Sequence, residues 1–281
     1  MRRRQHGFSL VELLVVIAII GIMAALGLGV MRAAREASAQ AATKATIAKL
    51  NSIVMHKYES YLTRRVPIAT TPWPGPSCGI DAKAWALDEQ RRILNAIRDL
   101  MRMEMPDAKS DIVNGPFSFT NNSYQWSVPE PPIRKLYASN PPTADHDSAQ
   151  CLYLFVSRAC PEAMEQFSQN EIGTVDGKPC FVDGWGRPIM FLRWAPGYRS
   201  PIQSGDVNAD HDPFDTRGMD GFAFHLVPLI YSAGPDGVYG IELGTGAFNG
   251  NPYSNTDLGQ PQVTKPDSHL DNITSHVIET R

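Results

Sequence analysis

The sequence predicts an α+β chain: a long N-terminal helix, half of it suited to a membrane and half amphipathic, packed on a small antiparallel β-sheet with extra helices and long loops. Three observations predict it. From Leu13 to Met31 run 19 residues without a charge, mostly Leu, Ile, Val, Ala, Gly and Met. Beyond them Ile47, Leu50, Val54, Tyr58 and Tyr61 recur at spacings of three, four, four and three, the period of one helix face. The rest is heavily punctuated, Gly and Pro numbering 22 each in 281 residues, and its apolar runs are short.

Length and composition set the limits. A chain of 281 residues has room for one or two domains, and 43% hydrophobic against 20% charged residues argues against a wholly disordered one. Its formal net charge is -3, and no basic patch or stripe gives a reason to expect nucleic acid.

Taken in order, the chain opens with Arg2, Arg3 and Arg4, then a single acid, Glu12, then no charge until Arg32. A span of roughly 17 to 25 such residues crosses the hydrocarbon core as a helix. The arginines before it favour an N-terminus kept in the cytoplasm, with everything after Arg32 outside. A secretory signal peptide also begins basic and apolar, but its core is usually about 7 to 15 residues long. A simple uncleaved anchor is the other bland alternative. Glu12 is the anomaly, because a carboxylate at the edge of an apolar helix is costly unless it stays near the interface or meets a cation.

Gly7-Phe8-Ser9-Leu10-Val11-Glu12-Leu13-Leu14, behind the arginine leader, resembles the cleavage and methylation signal of type IV pilins and type II secretion pseudopilins. The resemblance implies a prepilin peptidase that cuts after Gly7 and methylates the new amine of Phe8, and a Glu12 that helps subunits register. A fresh ammonium and a carboxylate on neighbouring chains stabilise each other in low dielectric, where either alone is expensive. Residues 1–7 are then a leader, 8–31 a membrane and filament-core helix, 32–62 its amphipathic continuation and 63–281 a soluble pseudopilin-like domain with insertions. Loss of the leader removes three arginines and no acids, which leaves a side-chain net charge of -6.

The helix is expected to continue through the Ala-, Glu- and Arg-rich stretch Arg32–Gln40, and to stop at Pro67 and the run Thr71–Pro76. As one helix, the 55 residues from Phe8 to Leu62 reach roughly 80 Å at about 1.5 Å per residue. Gly21, Gly27 and Gly29 would leave room for close helix approach. Asp81–Met105 reads as a helix with an apolar side and with Arg91, Arg92, Arg98 and Arg102 on a wet one. Asp107–Pro142, rich in proline, reads as a loop-like insertion. Asp147–Gln169 reads as a helix broken or restarted at Pro161. Pro188–Trp194 and Phe222–Tyr231 read as strands, the second demoted at Pro228 to an edge or a bulge.

Two later segments extend the resemblance. Asp183-Gly184-Trp185-Gly186-Arg187-Pro188 is similar to the aspartate, tryptophan-glycine and proline signature of major pseudopilins, and Ser232–Gly237 to the loop after their later strand. As plain structure, Gly184, Gly186, Gly234 and Gly237 would allow tight turns, Asp183 and Pro188 would belong to the first of them, and Trp185 would anchor a core. The resemblance also implies a Ca2+ in the C-terminal loops. Asp236 best matches one acidic ligand, and Asp271 or Asn272, in the closing segment Asp271–Ser275, the other; Asp257 is a substitute. Oxygen donors of this kind suit calcium, provided the tail folds back over the intervening residues. The acidic stretch Asp206–Asp212 has His211 where a helix-loop-helix calcium loop needs glycine, and reads as a solvated loop.

Four cysteines, Cys78, Cys151, Cys160 and Cys180, allow three full pairings, and sequence selects none. Cys160 with Cys180, each beside a proline and a loop, is the candidate pair. Scattered histidines and the lack of a His-Glu-x-x-His helix or Gly-x-Ser-x-Gly elbow speak against catalysis. The expectation is therefore a structural subunit of a type II secretion pseudopilus, in the bacterial inner membrane with its C-terminal domain periplasmic. Its partners would be its own copies, the prepilin peptidase, an inner-membrane assembly platform, minor pseudopilins and membrane lipid. The alternatives are a type IV pilin for adhesion or DNA uptake, and a membrane-anchored enzyme working through Asp210 or His211.

Overall fold

The computed structural model of the chain describes residues 9–66, 68, 82–121, 124–143, 145–243, 250–265 and 267–279, with backbone alone at 25–29, 82, 84, 121, 124 and 279. One helix, α1 (Leu10–Thr63), dominates it. Ser9 caps its start: the Ser9 hydroxyl accepts from Val11 N–H while Glu12 accepts from Ser9 N–H, a reciprocal capping box. The two halves of α1 then diverge. Ile47, Leu50, Val54, Tyr58 and Tyr61 are all buried, as their spacing predicts. Each of the aliphatic ones contributes about 1.5 to 3 kcal/mol by leaving water. Along the front half the described apolar side chains stay open, from 80% exposed at Leu10 to 45% at Val16.

Among the described residues no helix is long and apolar enough to cross a membrane. The side chains of residues 25–29, with Gly27 and Gly29, lie outside that description and inside the uncharged run, as do Gly7, Phe8 and the arginine leader at the head of the chain.

Helix α2 (Ala82–Glu104) packs beside the buried half of α1 through Ala96, Leu100 and Met101. Its polar side differs from expectation. Arg91 is exposed, but Arg98 and Arg102 are buried. Arg98 reaches Asp212 at 3.1 Å and Asp220 at 2.5 Å, and Arg102 reaches Asp99 at 2.9 Å. The physical reason is coverage: the 206–220 loop lies over this face, and a buried guanidinium is tolerable only when paired. Residues 206–211 stay exposed or half-exposed, as the reading of a solvated loop expects, and the exception is Asp212, which is buried against Arg98.

The proline-rich insertion is more ordered than its composition suggests. It holds α3 (Lys109–Val113), a hairpin of β1 (Phe119–Asn121) and β2 (Tyr124–Trp126), and α4 (Pro132–Ala138). Prolines at the head of α4 start the helix, because the first turn has no use for their missing N–H. Ile112 and Tyr137 then close a small cluster with Cys151 and Leu154 of α5 (Asp147–Ala159). Pro161 ends α5 and opens a 3₁₀ turn, as expected.

Next comes a hairpin the pattern did not disclose, β3 (Ile172–Val175) with β4 (Lys178–Phe181), turned by Asp176-Gly177, both at positive φ. The central sheet is antiparallel, ordered β5 (Met190–Leu192), β6 (Leu229–Ser232), β7 (Ile273–Thr274). Both strands are shorter than expected. Pro228 has no N–H for a ladder, so pairing begins after it, and Val227 N–H goes instead to the Gln203 side chain. Phe191 and Ile230 face α1, while Met190, Leu192, Leu229 and Tyr231 fill a second core behind the sheet. Ser148 of α5 closes the open edge of β5 by bonding both N–H and C=O of Phe191. The last described element is α6 (Ser275–Glu279).

The described cysteines are unbridged, which corrects the Cys160–Cys180 expectation. Cys180 is buried in the core behind the sheet, whereas Cys160 caps the end of α5 against the other core. Cys78 lies outside the described residues.

Candidate functional site

Three of the singled-out segments bear on function, and they sit along α1. At its head, Gly7 and Phe8 lie outside the described residues, and Glu12 is exposed with one carboxylate oxygen 2.9 Å from Ser9 N.

The second segment, 183–188, clasps the middle of α1. Asp183 is buried and organises it: one carboxylate oxygen accepts from Trp185 N–H and Arg187 N–H, both at 2.9 Å, and the other from the Ser232 hydroxyl at 2.6 Å. Gly186, at φ 82, completes the turn in a conformation other residues resist. Gly184 is required for a different reason. Its N–H donates to Thr43 Oγ1 at 2.9 Å, and a Cβ there would stand 2.3 Å from the Ala39 carbonyl oxygen. Trp185 packs against the main core from its edge, half-buried, and its indole N–H donates to Glu36 at 3.2 Å. Glu36 and Thr43 carry no local signature that sequence could flag, since their partners lie 149 and 141 residues away. Pro188 offers its carbonyl to the Tyr239 hydroxyl.

The third segment rests on the second. The Arg187 guanidinium donates to the carbonyls of Gly234 and Pro235, which fixes the 232–237 loop. The tail then folds back onto that loop. Asp236 N–H donates to Asp271 Oδ2 at 3.1 Å, and Gly234, at φ 66, passes so close to the Asp271 carbonyl that a Cβ would stand 2.3 Å from it. Asn272 donates through its side-chain N–H to the Tyr239 carbonyl, while its Oδ1 is buried with no hydrogen-bond partner among the described residues. Asp236, Asp271 and Asn272 are thus brought to one place across 35 residues of sequence. Asp257 is in another turn, where its carbonyl accepts from Gln260 N–H. Among the described residues no group of three His, Cys, Asp or Glu side chains is placed to hold a metal.

The residues weighed for catalysis are engaged elsewhere. His211 bonds the Asp215 carbonyl at 2.8 Å within the loop that covers α2, and His225, beyond that loop, pairs with its Asp210 at 3.2 Å. One further carboxylate ties the body to α1. Burial works against the charge of Glu171, but bonds from the Thr46 hydroxyl, Ser168 N–H and Lys49 outweigh it and hold its pKa down at about 2.

Comparison with known proteins bears on the head of the chain. The family described as "Prokaryotic N-terminal methylation motif" matches residues 2–28. No curated protein and no solved structure matches the chain.

Proposed function

From the premise that residues 2–28 carry the methylation signal of pilin-like and pseudopilin-like subunits, we propose that this chain is a structural subunit of a type II secretion pseudopilus. The observation that carries the reading is the signal standing at the head of one unbroken helix of 54 residues, whose front half leaves its apolar side chains unpacked. Such a surface is unstable in water and is satisfied by lipid first and by neighbouring helices after polymerisation. Cleavage after Gly7 creates the Phe8 amine, and Glu12 of an adjacent copy neutralises it, which sets the register of one subunit on the next.

Before assembly the subunit sits in the bacterial inner membrane, its head cytoplasmic and its body periplasmic. Its partners in that setting are the prepilin peptidase, an assembly platform and minor pseudopilins. The choice of pseudopilus over surface pilus draws on the likeness of the 183–188, 232–237 and 271–275 segments to major pseudopilins. The test is direct. Mass spectrometry of the protein from a host with the peptidase should find a methylated N-terminus at Phe8, and Glu12→Ala should insert in the membrane yet yield few filaments. Filaments of normal abundance from that variant would reject the register role. Short periplasmic fibres favour the secretion reading, and long surface fibres the pilus.

A calcium ion in the C-terminal loops belongs to the same proposal. The Asp271 carboxylate accepts from Asp236 N–H, the Asp236 carboxylate from Val238 N–H, and the Asn272 amide oxygen is buried without a partner among the described residues; carboxylate and amide oxygens are donors that a hard cation suits. Asp236, Asp271 and Asn272 would hold it, and the ion would brace the tail against the 232–237 loop. Asp236→Ala should then lower the Tm measured in calcium by several degrees while leaving the Tm in chelator almost unchanged. Equal losses in both would show a role in the turn alone.

A further inference from the structure

Two exposed surfaces at different heights along α1 carry opposite charge. The first is a groove of about 290 Å³ where the end of α1, α2 and the 213–219 loop meet. Its floor is apolar, with Leu62 and Ile93 exposed by 47% and 36%. Arg65 and Arg217 stand exposed on its rim, and Arg64 beside them leans on Glu104 at 2.6 Å. The only carboxylate among the lining residues, Asp215, is turned inward and buried, accepting from Met219 N–H and Asp220 N–H. The groove therefore offers a hydrophobic seat under two open guanidinium groups.

The second surface is formed by the described residues of the 262–271 loop, 262–265 and 267–271. Val263 and Leu270 project into solvent at 91% and 72% exposure, beside the exposed Asp267, with Lys265 the one Lys or Arg of the loop. Contacts place it near the middle of α1. Gln262 N–H bonds the Gly240 carbonyl, Asn272 bonds Tyr239, and the 232–237 loop is held by Arg187 in the segment that clasps Thr43. From Thr43 to Leu62 is roughly 30 Å along a helix axis.

We propose that the arginine-rimmed groove docks the 262–271 loop of a second copy of this chain, with Asp267 meeting Arg65 and Arg217 and Leu270 seated on the apolar floor. The inference rests on the filament reading and deepens it. The two surfaces differ and are displaced along α1, so the contact is head-to-tail and leaves one groove and one loop open at the ends, the condition for an open fibre. It also answers a charge problem. Mature copies each carry a net side-chain charge of -6 and repel, so close stacking needs a local patch of the opposite sign.

The experiment uses the full chain in a host that processes it, reading filament yield together with disulfide-linked dimers. Arg217→Glu and Asp267→Lys, both at exposed positions, should each lower the yield roughly fivefold, the equivalent of about 1 kcal/mol per contact. The two reversals together should restore most of it. Copies carrying Arg217→Cys mixed with copies carrying Asp267→Cys should cross-link, and neither variant alone should. Unchanged yield in either single reversal overturns the contact while the wild-type filaments uphold the filament reading. Loss that the paired reversal does not restore, without mixed cross-links, shows that the groove takes an acidic segment of another protein. Absence of wild-type filaments removes both readings at once. Should Arg217→Glu melt abnormally, Arg65→Glu repeats the test from the α1 side.

Discussion

Gly184 shows how one residue fixes the seat of the body on its spine. Two contacts meet there: an N–H that donates to Thr43 and an approach to the Ala39 carbonyl that leaves no room for a methyl group. The obstacle is helix backbone, which cannot swing aside as a long side chain can. Gly184→Ala should therefore cost about 1 to 3 kcal/mol, the usual range for overpacking, and lower the Tm accordingly. Gly186 is a control of another kind, since its surroundings are open and only its φ of 82 resists a side chain. A Gly184→Ala protein as stable as the parent would mean that the 183–188 loop is not held against α1. Both glycines were legible in the sequence as turn formers, but the reason for Gly184 was not, because it lies in Ala39 and Thr43, far away along the chain.

At the scale of elements, the visible and the hidden separate by period and by partner. The face Ile47 to Tyr61 of α1 was legible because a helix half in water keeps a 3.6-residue alternation. Strands β5 and β6 were blurred because the sheet is buried on both sides, so Met190, Phe191 and Leu192 are all apolar and no alternation survives. The hairpin β3–β4 carried a usable signal, Asp176-Gly177, which Pro179 inside the second strand obscured. Arg98 and Arg102 looked wet since nothing local to α2 discloses the loop that covers them. The junction of α2, α3 and β5 makes the same point with a measurable consequence. There Arg193 faces both Asp107, at 3.3 Å, and Asp111, at 2.9 Å, while Arg102 is shared between Asp99 and Asp111; Asp147 and the buried Cys151 thiol stand close by. Three carboxylates thus share two guanidinium groups. Burial first, then the neighbouring Asp111 charge, push Asp107 up to about 7 against the pull of Arg193. A raised carboxyl binds its proton more tightly in the folded chain than in the unfolded one, where it titrates near about 4. Its contribution to stability is complete below that value and is lost as pH rises toward 7. Asp107→Asn should accordingly flatten the fall in unfolding free energy between about pH 4 and 7. A slope in the variant equal to that of the parent would assign the titration to another group.

For the molecule as a whole, the sequence disclosed the division of labour along α1 better than it disclosed the body. Charge, hydropathy and the 3.6-residue period separate a front half whose described apolar side chains stay open from a rear half whose apolar face is buried against the body. The meeting of Asp236 with Asp271, by contrast, depends on a tail that returns across 35 residues and leaves no local trace. The division has a consequence for stability. The buried clusters take their first α1 residue at Ile47, and the earliest described ties between α1 and the body are Glu36 with Trp185 and Thr43 with Gly184. The described side chains between Leu10 and Val30 contribute nothing to those clusters. A chain beginning at Arg32 keeps every one of these contacts and more than a turn of helix ahead of the first. It should fold without detergent and melt cooperatively within about 3 °C of the full chain, a difference worth roughly 1 kcal/mol at this size. It should also remain monomeric at concentrations where the full chain polymerises, because the weak groove-to-loop contact then lacks the helix core that holds copies together. Thermal melting followed by circular dichroism and sedimentation of the shortened chain check both halves of the expectation. A body that cannot hold its structure without residues 10–31 would make the front half part of the fold, and the separation of anchoring from folding along α1 would not stand.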